Sequence, residues 1–129
     1  MSRMKDVLTI RLSETVRLDR DRLGALAAEL GDAAAEDVVC RAMEELALRM
    51  SLCNQLYQQR DWDALAKTAR SLIAIADQIG MTALARVATD VTTSTEGGDP
   101  VATGATLARL LRIGEYSLTN LWELQDITI

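Results

Sequence analysis

Apolar residues recur along most of this chain with the three-to-four-residue period of amphipathic helices. The clearest stretch is 62–79. There Trp62, Leu65, Ala69, Leu72, Ala76 and Ile79 are spaced 3, 4, 3, 4, 3, which holds all six on one face. Asp61 stands where a short carboxylate can accept the free N–H groups of a first turn, and Gly80 stands where glycine ends a helix. A longer stripe precedes it. Val39, Met43, Leu46, Met50, Cys53 and Tyr57 are spaced 4, 3, 4, 3, 4 and predict a helix over 33–59 capped by Asp32.

Three further helices follow from weaker signals. One covers about 19–30, with Asp19 or Asp21 as its cap and Gly31 as its stop. One covers 83–95, with Thr82 as its cap and Leu84, Val87, Ala88 and Val91 facing inward. The last begins at Asp99-Pro100, because proline at the first helical position has no orphan N–H to satisfy, and reaches about 125. Its expected inner residues are Leu107, Leu111, Gly114, Leu118, Leu121 and Trp122. Residues 1–18 form an extension of uncertain structure. Val7, Leu8, Ile10 and Leu12 hint at an extended segment there, although Leu8 breaks strict alternation. The links between helices are only a few residues long, and such links make consecutive helices antiparallel neighbours. The expected fold is all-α: an up-down antiparallel four-helix bundle with an additional short N-terminal helix, in a single domain over residues 1–129.

Composition agrees. The chain is 49% hydrophobic but only 3% aromatic, with no Phe and one Pro, so its core must be built from Leu, Ile, Val, Met and Ala. Ala, Leu and Met are also among the residues that lose least on entering a helix. The net charge of −5 comes without a clustered basic stripe, so nucleic acid is not an expected partner. No run of 18 apolar residues suggests a membrane span, and the charged start lacks the apolar core of a signal peptide. A cytoplasmic location is expected. Cys40 and Cys53 are 13 positions apart on one predicted helix, a rise of roughly 20 Å, too far for a disulfide.

The segment AKTARSLIAIADQIGMTALARVATDV, residues 66–91, resembles the signature helix pair of histidine-containing phosphotransfer domains. In that family a histidine is followed by an apolar residue two positions on, a lysine at the third, a glycine at the fourth and a helix-ending glycine at the tenth. On this chain the histidine position falls on Arg70, the apolar one on Leu72, the lysine on Ile73 and the first glycine on Ala74. The terminal glycine is Gly80. The lead-in QRDWDALAKTA, residues 59–69, also fits, and the resemblance spans about 17–125. The scaffold positions match and the chemical ones do not. A phosphoryl acceptor needs an imidazole nitrogen with a free lone pair, whereas arginine carries only donors and stays charged.

The chain contains no histidine at all. That removes Ser-His-Asp and Cys-His catalysis and the Glu-x-x-His ligands of bundle di-iron sites. Gly97-Gly98 lacks the lysine of a phosphate-binding loop, and Asp61 and Asp63 point to different helix faces. No catalytic role, cofactor or metal is expected. What the resemblance implies instead is a docking surface around the lost histidine, made of Arg70, Ala66, Lys67, Ile73, Ala74 and Asp77. Arg70 has no acid three or four residues away, and Ala66, Ile73 and Ala74 would form an apolar shelf around it. The implied partner is a response-regulator receiver domain or a histidine kinase, whose acidic site a guanidinium could bind without accepting phosphate. A solvated arginine on a purely structural or oligomerisation bundle is the plainer reading. An enzyme of another type would need a deep pocket with convergent polar groups.

Overall fold

The computed structural model of the chain describes residues 20–128, and the side chains of residues 21–119. The described residues are all-α. The helices are α1 (Arg20–Leu30), α2 (Asp32–Gln58), α3 (Trp62–Gln78), α4 (Thr82–Glu96) and α5 (Pro100–Thr128). The expected extension over 1–18 and the cap at Asp19 lie outside the described residues, as do the side chains of Leu121 and Trp122.

Each helix packs on the next, and α5 returns to α2, so α2 to α5 enclose a common interior while α1 rests on α2. That interior is aliphatic. Met43, Leu46, Leu65, Leu72, Leu84 and Leu110 are its largest fully buried side chains, together with Ile79 and Met81 at the α3–α4 turn. The stripes read from the sequence are the buried faces. Leu65, Ala69, Leu72 and Ala76 of α3 and Leu84, Val87, Ala88 and Val91 of α4 all point inward. Trp62 is half-buried. On α2 the stripe holds as far as Cys53, after which Leu56 rather than Tyr57 takes the core position. Tyr57 is half-buried and meets Trp62 edge-to-face, with centroids 5.8 Å apart.

On α5, Leu107 and Gly114 are buried, Leu111 and Leu118 only partly, and Leu110, Thr103 and Ser117 complete the inner face. A Cβ on Gly114 would fall inside the radius of Met50 Sδ, so glycine sets how closely α5 approaches α2. Buried threonines on α4 and α5 cost little, because each hydroxyl donates to the carbonyl four residues earlier: Thr92 to Ala88, Thr95 to Val91 and Thr103 to Asp99, at 2.7–3.0 Å.

Helix ends follow the capping signals with three corrections. Asp32 and Thr82 are not caps. They are the first helical residues of α2 and α4, and Gly31 and Met81 hold the cap positions. Asp21 lies inside the first turn of α1, where a carboxylate favours the helix dipole rather than capping it. Asp61 does cap α3, accepting from the Ala64 N–H at 3.3 Å, and Asp99 caps α5, accepting from the Ala102 N–H at 3.0 Å. Gly80 adopts φ 77°, and Met81 N–H closes back onto Ala76 O at 2.8 Å, which satisfies the last carbonyls of α3. Asp61→Ala is expected to lower stability by about 1 kcal/mol, read as a fall in the urea midpoint with an unchanged slope. No loss would mean that the cap contributes nothing to α3.

Candidate functional site

α3 carries the candidate site because its inner stripe fixes its rotation. Ala69 and Leu72 face the interior, and each residue turns the helix by about 100°, so Arg70 is carried outward. Its side chain is 58% exposed, close to the middle of α3. Lys67, Ala74 and Asp77 are exposed on the same face, spaced 3, 4 and 3 with Arg70. Ile73 is half-buried and packs against the core. Ala66 is buried and belongs to the interior. The apolar shelf expected around Arg70 is thus reduced to Ala74 and the outer edge of Ile73, because Ala66 lies one residue from Leu65 on the inward side of the turn. The face is a short mixed-charge strip rather than an apolar patch.

Arg70 does have an acidic partner. It forms an ion pair with Glu96, the last residue of α4. No acid of its own helix stands three or four residues away, and the partner comes from a neighbouring element. The pairing has an electrostatic reason. Glu96 puts a negative charge at the negative end of the α4 dipole, and α4 has no basic residue in its last turn. Arg70 supplies the missing cation from the side. Both groups are about half exposed, so water screens the pair and its contribution is small, at most about 1 kcal/mol. Sequence spacing gave no signal for Glu96, since 26 positions and a turn separate the two residues.

The other chemistry-bearing side chains do not converge on Arg70. Among the described residues no three of His, Cys, Asp and Glu come together as metal ligands. Cys53 is fully buried, and burial pushes its thiol up to about 11 from 9.0, so it resists ionising near neutral pH. Two open grooves, of about 320 and 270 Å³, run along α1. The first is lined by Leu23, Leu26, Ala35 and Val39 together with Asp32 and Glu36. Neither includes Arg70. No helix of the described residues is long and apolar enough to cross a membrane.

Compared with known proteins, the chain matches no family model, no curated protein and no solved structure.

Proposed function

We propose that this chain is a non-catalytic, histidine-less phosphotransfer-like adaptor of the cytoplasm. In this reading α2 to α5 form an up-down antiparallel four-helix bundle, and the α3 face docks onto a receiver domain or a histidine kinase without accepting a phosphoryl group. The observation that carries the reading is Arg70. At the position where the phosphotransfer family holds its histidine, a guanidinium stands exposed near the middle of a helix, flanked by Lys67 and Ala74. A guanidinium can pair bidentately with carboxylates or phosphoryl oxygens and has no lone pair with which to take a phosphoryl group. Docking would exchange the Glu96 carboxylate for the partner's acids, so Glu96 competes for the same cation.

A second reading has its own observation. The Arg70–Glu96 pair and the burial of Ala66 are what a purely structural bundle would also display. Two variants separate the readings in a titration against receiver and histidine kinase domains. Arg70→Ala is expected to weaken binding by about tenfold or more, because an acidic partner surface would be left unpaired. Glu96→Gln is expected to strengthen it by releasing Arg70. Both should change stability by less than about 1 kcal/mol, as for an exposed pair. Equal affinity for wild type, Arg70→Ala and Glu96→Gln would remove the docking reading and leave the structural one.

A further inference from the structure

The outward side of α2 carries a second helical stripe that the interior does not use. Ala34, Val38, Arg41, Glu45, Leu48 and Leu52 are spaced 4, 3, 4, 3, 4, and all are exposed except Val38, which is half-buried where it lines the groove beside Leu26 and Leu30 of α1. Leu48 is 71% exposed and Leu52 42%, so two leucines one turn apart face water on the longest regular stretch outside α5. Six positions at this spacing form a continuous seam about 27 Å long at ~1.5 Å per residue. Scattered surface leucines need no explanation by themselves. Here the charges between them specify a partner.

We infer that α2 is the interface for a second copy of this chain, paired antiparallel about a two-fold axis level with residue 43. In an antiparallel seam the two alternating positions of the repeat meet each other across the interface. That register sets Ala34 beside the second copy's Leu52, Val38 beside its Leu48 and Arg41 beside its Glu45. Each contact occurs twice, as two-fold symmetry requires. The small residues at one end of the seam face the leucines at the other, so the surfaces are complementary in size. The central layer is complementary in charge. Arg41 of each copy faces the other's Glu45, with the other's Glu44 at the margin of the same layer.

A parallel in-register pair fails on the same residues. It would set Arg41 against Arg41 and Glu45 against Glu45 in the middle of the seam, where like charges repel. A polar pair within an apolar seam fixes register at some cost in affinity. On its own helix Glu45 also holds Arg49, at 3.3 Å, and this exposed pair is weak enough to rearrange. One helix face lies at the small end of the range of specific interfaces, so the dimer is expected to be reversible and concentration-dependent. It uses the outer face of α2 and does not rest on the docking reading of α3.

The test is sedimentation or light scattering of the full chain across a concentration series, with circular dichroism confirming that each variant stays helical. Wild type should shift from monomer to dimer. Arg41→Glu and Glu45→Arg should each raise the dissociation constant by about tenfold or more, because each places like charges together twice per dimer. Mixing the two variants should restore a dimer, since each then supplies what the other lacks. Wild type remaining monomeric, single variants dimerising as wild type does, or a mixture that stays monomeric would each overturn the antiparallel assignment.

Discussion

Leu72→Ala should destabilise the fold by roughly 2–5 kcal/mol, the range for truncating a fully buried leucine in a core that cannot collapse onto the gap. Leu72 has no exposed surface and lies mid-stripe on α3, which packs against both α2 and α4. Its neighbours on the stripe are Ala69 and Ala76, also without exposed surface, and alanine cannot extend to fill the space a leucine leaves. The cost should therefore fall in the upper half of that range. Urea unfolding followed by circular dichroism measures it. A loss under about 0.5 kcal/mol, the range of surface substitutions, would mean that α3 turns another face inward.

Alkaline pH should destabilise the chain through Cys53. Burial raises its thiol from 9.0 to about 11 in the folded state, so folding holds the proton that the unfolded chain releases. Below about pH 9 both states keep the thiol and the shift has no effect. As pH rises from there, the unfolded state ionises first, and stability falls until the folded thiol also titrates near 11. A two-unit shift corresponds to a loss of about 2 kcal/mol by pH 11. Cys53→Ala costs packing at every pH but removes this slope. The measurement is unfolding free energy against pH for both proteins. If the wild-type and Cys53→Ala curves run parallel between pH 8 and 11, the buried thiol is not the cause. The same burial predicts that thiol-alkylating reagents reach Cys53 only after unfolding.

Most of the architecture was legible because helix formation here is local. The 3-and-4 spacing on α3 and α4 named the buried residues, and Asp61, Gly80 and Asp99-Pro100 marked boundaries through capping chemistry that acts over a few residues. Local signals failed where several residues could serve the same role. Asp32 and Thr82 are good caps by type, but each falls one residue inside its helix, because Gly31 and Met81 already hold the non-helical turn. The end of α2 gave no glycine signal. Arg60 adopts the left-handed conformation there, at φ 58°, with Asp61 N–H closing onto Leu56 O at 3.0 Å. That turn is held by the chain around it and not by the preference of arginine.

By itself the sequence determined that the described residues are helical, which faces are apolar and that no imidazole chemistry is possible, because period, composition and the absence of histidine are properties of the chain alone. Only the tertiary structure decided what surrounds Arg70. It drew Ala66 into the interior and brought Glu96 from the end of α4 to the guanidinium, which no spacing within α3 could reveal. Both stripes on α2 have the same spacing, but Arg41 and Glu45 interrupt the outer one, so the sequence already marked the stripe with Met43, Leu46 and Met50 for burial; the tertiary structure showed that α3 and α5 are what close over it. Periodicity and polarity fix which face of a helix leaves water, and packing against its neighbours decides what covers that face.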